Sequence, residues 1–181
     1  MSPNQLPAES LGFEFADAAL GSRVRAGLER VEQALLDATQ SEAPFVTEAA
    51  QHVMLAGGKR FRPLLVLLGA EFGAQQSSDD VVKAAVVVEL THVATLHHDD
   101  VMDEAALRRG SSTANARWDN SVAILSGDWL FARASDLVAD LGPEAVRIQA
   151  RTFGRLVEGQ IRETMGVGDG QDRSGLGRGQ S

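Results

Sequence analysis

Three aspartates, Asp99, Asp100 and Asp103, close the run AAVVVELTHVATLHHDDVMDEAALRRG at 84–110, and Arg108 and Arg109 follow them. On a helix of about 3.6 residues per turn, Asp99 and Asp103 stack on one face with Asp100 beside them. The C-terminal end of a helix disfavours carboxylates, because its dipole places partial negative charge there. Three of them repel one another unless a cation holds them together. Oxygen donors of this hardness suit Mg²⁺, which keeps several waters and bridges to the phosphates of a substrate. The two arginines, about one turn further on, are good partners for those phosphates. A DDxxD run can also be no more than a solvated acidic helix end and a basic turn. The residues before it argue otherwise. A helix that greasy is not a surface helix, so the aspartates should rim a cavity.

A second stretch, GGKRFRP at 57–63, gathers Lys59, Arg60 and Arg62 between two glycines and a proline. Adjacent N–H groups at the start of the next helix, together with three cations, predict an anion site. Scattered surface basics after a helix cap are the alternative, but a cluster fixed in front of a buried helix is held in place. His92 lies seven residues before Asp99, on the same helix face and about 10 Å away along the axis. Glu89 is one turn further back. A lone histidine on an apolar helix is usually a core residue, and here its alignment with the aspartates points instead to a polar stripe lining a pocket. His98-Asp99 also invites a metal phosphohydrolase reading. That chemistry needs more histidines near the aspartates, and His52 and His92 sit in no such local motif.

These residues need a scaffold, and the composition bounds it. The chain has 181 residues, 44% hydrophobic and 23% charged, enough for one domain with a real core. A net charge of −8 argues against a nucleic-acid partner. The absence of cysteine excludes a disulfide framework and thiolate chemistry. The start carries no signal-like segment, and no apolar run approaches the roughly 18 residues that cross a bilayer. A cytoplasmic protein is expected.

Periodic apolar residues predict helices at 17–39, 44–56, 63–72, from Asp79 or Asp80 through the aspartates, at 122–141 and at 143–165. Pro44, Pro63 and Pro143 each stand at or near a helix start. The polar connection 110–120 carries no strand signal. Gly127 and Gly159 inside helices hint at close helix contacts, since glycine there costs about 1 kcal/mol against alanine. Glu158 and Arg162 form an i,i+4 pair. The expectation is an all-α bundle of about six helices. Residues 1–14 read as a mobile lead-in, 15–165 as the folded domain, and 166–181, with six glycines, as a disordered tail.

GGKRFRP, ELTHVATLHHDDVMDEAALRRG, SGDWLFARA and EGQIRET, in that order, resemble the head-to-tail trans-isoprenyl diphosphate synthases, the polyprenyl synthetases. Over roughly residues 15–165 the chain resembles the N-terminal half of a member. The resemblance implies an α-helical bundle around a deep cavity, usually as a homodimer. It implies condensation of isopentenyl diphosphate with an allylic diphosphate: Mg²⁺-bound diphosphate leaves, an allylic carbocation forms, and the double bond of isopentenyl diphosphate attacks it. Asp99 and Asp103 would ligate Mg²⁺ with Asp100 in the same catalytic cluster. Arg108 would bind the allylic diphosphate, and Lys59, Arg62, His92 and Arg109 would bind isopentenyl diphosphate. Ala94 and Thr95, with Thr91 above them, would line the cavity for the growing chain. Their small size resembles long-chain synthases.

The family's second aspartate-rich motif and its lysines have no counterpart here. The expectation is therefore a truncated member with an incomplete metal site, a large exposed apolar face on the central helix, and activity in doubt when alone. The other class of function is a non-catalytic half-domain that pairs with a full-length or complementary chain.

Overall fold

The structure, a computed structural model, describes residues 15–74 and 76–166. The expectations for residues 1–14 and for the tail from 167 lie outside the described residues. Seven helices and one minimal hairpin appear in the order α1 (Ala18–Ala38), α2 (Pro44–Leu55), α3 (Phe61–Ala70), α4 (Asp79–Met102), β1 (Leu107–Arg108), β2 (Ser111–Ser112), α5 (Ala114–Arg117), α6 (Asn120–Ala139) and α7 (Pro143–Thr164). The all-α expectation holds, and the six long helices fall within two residues of their predicted bounds.

The caps explain the boundaries. Asp17 accepts from the backbone N–H groups of Ala19 and Leu20 to open α1. Ser78, not Asp79 or Asp80, caps α4 by accepting from Val81 N, while the two aspartates occupy its first turn, where the dipole favours them. α3 begins at Phe61, two residues before Pro63, because the chain turns at Arg60 in a left-handed conformation. The connection after α4 is not the strandless loop that the sequence predicts. Leu107 faces Ser112 and Arg108 faces Ser111, around Arg109 and Gly110, whose φ values are 53° and 82°. Positive φ at both central residues is the demand of a tight hairpin turn, which asparagine or glycine usually meets. An arginine at its first position hid the hairpin from the pattern.

The chain divides into two compact units, one ending at Gly142 and one starting at Pro143. In the first, α4 is the axis. Val86, Leu90, Val93, Ala94 and Leu96 pack with Val31 and Leu35 of α1, Val53 and Met54 of α2, and Leu130 and Ala134 of α6 in one core. A smaller cluster joins Val24 and Leu28 of α1 to Leu64 and Leu67 of α3. Gly127 is required where α6 meets α4: a Cβ there would lie 2.5 Å from His98 Nε2 and 3.1 Å from the Ala94 carbonyl oxygen. At Gly159 the hint of close contact fails, since a Cβ would meet nothing within 4 Å among the described residues.

The expected large apolar face on the central helix is also corrected. Of the big apolar residues of α4, Val88 and Met102 are exposed, whereas α3 exposes Phe61 and Leu65, and Phe72 lies open just beyond its end. Helices α1, α2, α3, α5 and α6 of the first unit already pack against α4. The second unit is α7, whose Val146, Leu156, Val157 and Ile161 are exposed. Its Glu158–Arg162 pair forms at 4.0 Å.

Candidate functional site

The GGKRFRP turn and the middle of α4 enclose a recess of about 530 Å³, lined by Gly58, Lys59, Arg60, Phe61, Arg62, Glu89, His92 and Arg109. Four residues singled out from the sequence, Lys59, Arg62, His92 and Arg109, therefore meet in one place. Their elements explain why. Gly57, at φ 98°, ends α2 with a conformation that glycine adopts freely. Gly58 lets a guanidinium come close, since a Cβ on it would lie 2.6 Å from Arg109 Nη1 and 2.9 Å from Arg60 Nη1. Across the recess, the hairpin turn presents Arg109.

The three neighbouring cations divide into two kinds. Arg60 is 6% exposed. Its guanidinium pairs with Glu32 of α1, reaches Glu89 of α4 at 3.4 Å, and donates to the Met54 carbonyl at 3.2 Å. Lys59 and Arg62 are exposed, and among the described residues neither they nor Arg109 has a carboxylate within ion-pair distance. Three unneutralised cations around a concave surface form a site for a strongly charged anion, and guanidinium groups match phosphate oxygens in pairs.

The electrostatics agree. Burial lowers the His92 pKa to about 4, assisted by Arg62, Arg109, Arg108 and Arg60. At neutral pH His92 is therefore an uncharged ring that can still donate one hydrogen bond. Burial likewise lowers Arg109, with Arg60 adding to it and Glu89 opposing. Burial raises Glu89, against the pull of Arg60 and Arg62.

About 10 Å further along α4, the aspartates divide as well. Asp99 is half-buried and Asp103 exposed. Partial burial raises the Asp99 carboxyl above its ordinary range, and Asp103 one turn on raises it further. Asp100 is fully buried and accepts from Arg108 Nε at 2.6 Å, while its other carboxylate oxygen has no hydrogen-bond partner. The loop behind it is pinned by Thr113 Oγ1 donating to the Ala105 carbonyl at 2.6 Å and Asn115 Nδ2 donating to the same carbonyl at 3.1 Å. Among the described residues no three His, Asp or Glu side chains converge as a metal site. Asp99 and Asp103 alone offer two oxygen donors whose mutual repulsion a divalent cation would relieve. That donor set fits Mg²⁺, which takes few protein carboxylates and completes its shell with water and phosphate oxygens.

The other histidines are engaged elsewhere. His98 Nε2 lies 3.1 Å from the Ile124 carbonyl and 3.3 Å from Asp128. His52 Nε2 lies 2.6 Å from the Ser112 carbonyl, and Nδ1 lies 3.3 Å from Arg117 Nη1. Nδ1 must then accept and Nε2 donate, a neutral tautomer. His97 is fully buried; neither ring nitrogen has a partner in good hydrogen-bonding geometry, although the Ala50 backbone interacts with the ring. Nothing here assembles the histidine set of a metal phosphohydrolase. Of the three residues expected to line the cavity, Ala94 instead packs in the main core, and Thr91 and Thr95 are half-buried. Sequence reasoning missed Glu32, Thr113 and Asn115, whose roles are fixed by distant partners. Glu89, a charge in an apolar run, was the one visible signal of the buried network.

The polyprenyl synthetase family model matches residues 43–174, which extends past the point where the quoted motifs end. The chain is similar to the nonaprenyl diphosphate synthase of Mycobacterium tuberculosis, 53% identical over 162 residues, covering 89% of this chain and 48% of that protein. It is similar to heptaprenyl diphosphate synthase component 2 of Geobacillus stearothermophilus, 46% identical over 137 residues, covering 75% of this chain and 42% of that one. A solved structure of geranylgeranyl pyrophosphate synthase from Corynebacterium glutamicum, complexed with calcium and isoprenyl diphosphate, superposes with a TM-score of 0.75 at 52% identity, covering 87% of this chain and 47% of that one. The chain thus spans about half the length of the curated relatives it matches.

Proposed function

The chain belongs to the polyprenyl synthetase family, and on that premise we propose that it acts in prenyl transfer, condensing isopentenyl diphosphate with an allylic diphosphate. The observation that carries this reading is the placement of two unlike sites along one helix. A cation-lined recess surrounds His92, and a carboxylate pair stands two turns away at Asp99 and Asp103.

In this reading Lys59, Arg62 and Arg109 hold the diphosphate of isopentenyl diphosphate, and neutral His92 donates one hydrogen bond to it. Asp99 and Asp103 would hold Mg²⁺, which when bound would absorb negative charge on the allylic diphosphate. Asp100 keeps Arg108 at the loop edge, where its remaining N–H groups can meet that second diphosphate. The allylic C–O bond breaks with its electron pair leaving on the diphosphate. The resulting carbocation is attacked by the double bond of isopentenyl diphosphate, and the condensed cation gives a proton to the released diphosphate, which restores an alkene. Preorganised cations lower the barrier because charge develops on the leaving group. Thr91 and Thr95 leave room along α4 for a growing chain, which supports a long product. The relatives named for nonaprenyl and heptaprenyl products support the same choice. Among the described residues no helix is long and apolar enough to cross a membrane, and a cytoplasmic location fits this.

A second reading is favoured by one observation: a relative 46% identical is named as component 2 of a synthase. Here the chain would contribute the recess to an assembly with another chain, a second copy or a complementary one. Incubating the purified 181-residue chain with labelled isopentenyl diphosphate, farnesyl diphosphate and Mg²⁺ tests the proposal. Labelled long-chain lipid from this chain alone would support the first reading, and its length would report the product class. Product formed only after a complementary synthase chain is added would favour the second reading. Phosphate release without carbon–carbon bond formation would contradict both.

A further inference from the structure

Arg60 sits in the sequence between two proposed diphosphate ligands, yet its side chain serves a different purpose. Its backbone is left-handed, at φ 45°, a conformation that a non-glycine residue adopts only at a steric cost. Such strain persists where surrounding contacts over-determine it. Here the contacts are explicit: Glu32 from α1, Glu89 from α4 and the Met54 carbonyl from the end of α2 all accept from one buried guanidinium. Three helices are thus tied to Arg60, one of the two residues that separate Lys59 from Arg62.

We infer that Arg60, held by Glu32 and Glu89, is a positioning residue that sets the geometry of Lys59, Arg62 and Arg109 around the recess without itself contacting the diphosphate. The αL turn at Arg60 reverses the chain so that its neighbours stand exposed on the recess wall while Arg60 points into the protein. Glu89 has a further effect. It lies on the recess wall among cations, and Arg60 and Arg109 both feel its charge. That arrangement lets two guanidinium groups approach the same glycine, Gly58, without mutual expulsion. A lysine could not replace Arg60, because one ammonium cannot span three acceptors in a fixed fork.

This inference rests on the diphosphate reading of the recess, and the sign of one substitution separates the two. Glu32 is on α1 and outside the recess lining. Coulomb's law alone says that removing a negative charge near a cationic site strengthens anion binding. Positioning says the opposite, since loss of the outer partner loosens Arg60. Calorimetric titration of isopentenyl diphosphate into the full 181-residue chain would compare the unmodified protein with Lys59→Ala, Glu32→Gln and Arg60→Lys, each checked for cooperative thermal unfolding. The inference predicts that Glu32→Gln and Arg60→Lys both weaken binding, roughly tenfold, the range typical when an outer partner is removed. Unchanged or tighter binding in a folded Glu32→Gln, with Lys59→Ala weakened, overturns the positioning role and leaves the recess reading intact. Unfolding of both Glu32→Gln and Arg60→Lys overturns it in favour of a purely structural ion cluster. No binding by the unmodified chain, or no loss in Lys59→Ala, overturns the recess reading and this inference together.

Discussion

The two ends of the polar stripe on α4 are built on opposite principles. Around His92 the backbone and the buried Arg60 are tied down, while Lys59, Arg62 and Arg109 stand without a carboxylate partner among the described residues. A buried arginine anchors the turn, Gly57 supplies a positive φ, Gly58 admits two guanidinium groups, and a left-handed Arg109 completes the wall. At the aspartates the fold fixes one carboxylate, Asp100, through Arg108, and leaves Asp99 and Asp103 open. A preorganised anion site can work as folded, because its cations are in place before the ligand arrives. An open carboxylate pair needs a cation and the oxygens of a ligand to finish it. Under the proposed function, the difference predicts separate requirements for the two diphosphates, and that separation can be attacked directly.

The largest effect is expected at the recess. Arg62→Ala removes a charge-assisted contact worth about 1.5–3 kcal/mol, so isopentenyl diphosphate should bind roughly 10- to 100-fold more weakly by calorimetry. Asp99→Ala should leave that affinity nearly unchanged while abolishing Mg²⁺-dependent binding of farnesyl diphosphate. If both substitutions weakened both ligands equally, the two-site contrast would be lost.

Smaller effects concern the scaffold that holds the two sites. Gly127→Ala sets a Cβ against the Ala94 carbonyl and His98, and should destabilise the fold by about 1–3 kcal/mol in urea titration despite the gain in helix propensity. His97→Leu removes a buried ring with no partner in good hydrogen-bonding geometry and should stabilise by about 1–3 kcal/mol. Burial holds both His97 and His92 near pKa 4 in the folded chain, against 6.5 as the ordinary value. The unfolded chain therefore takes up protons first as pH falls, and stability drops from about pH 6.5 towards 4. Asp99 and Glu89, raised above 3.8 and 4.5 in the folded chain, act in the opposite sense, favouring the fold as pH falls from their raised values, so they oppose the histidine effect at the acid end of that window. A flatter decline in His97→Leu than in the unmodified chain is the expected readout.

Much of this contrast was legible in the sequence, for local reasons. Helix bounds follow from periodicity and caps, and Asp99, Asp103 and His92 share a face by spacing alone. The convergence of Lys59, Arg62 and Arg109 on His92 is legible only through the ordered motifs, since it depends on a loop returning over 40 residues later in the chain. Two matters were hidden. Which of three adjacent cations turns inward depends on Glu32 and Glu89, which spacing does not connect to Arg60. Which of three clustered aspartates is buried depends on Arg108, carried there by a hairpin whose first turn residue is an arginine rather than asparagine or glycine. Position along a helix tells where a side chain starts; its partners decide what it does.

The separation of requirements has one direct measurement: titration of isopentenyl diphosphate and of farnesyl diphosphate into the unmodified chain, each in Mg²⁺ and again in excess chelator. The account predicts that isopentenyl diphosphate binds with similar affinity in both conditions, while farnesyl diphosphate binding disappears with the metal. Loss of isopentenyl diphosphate binding in chelator, or metal-independent binding of farnesyl diphosphate, would contradict it.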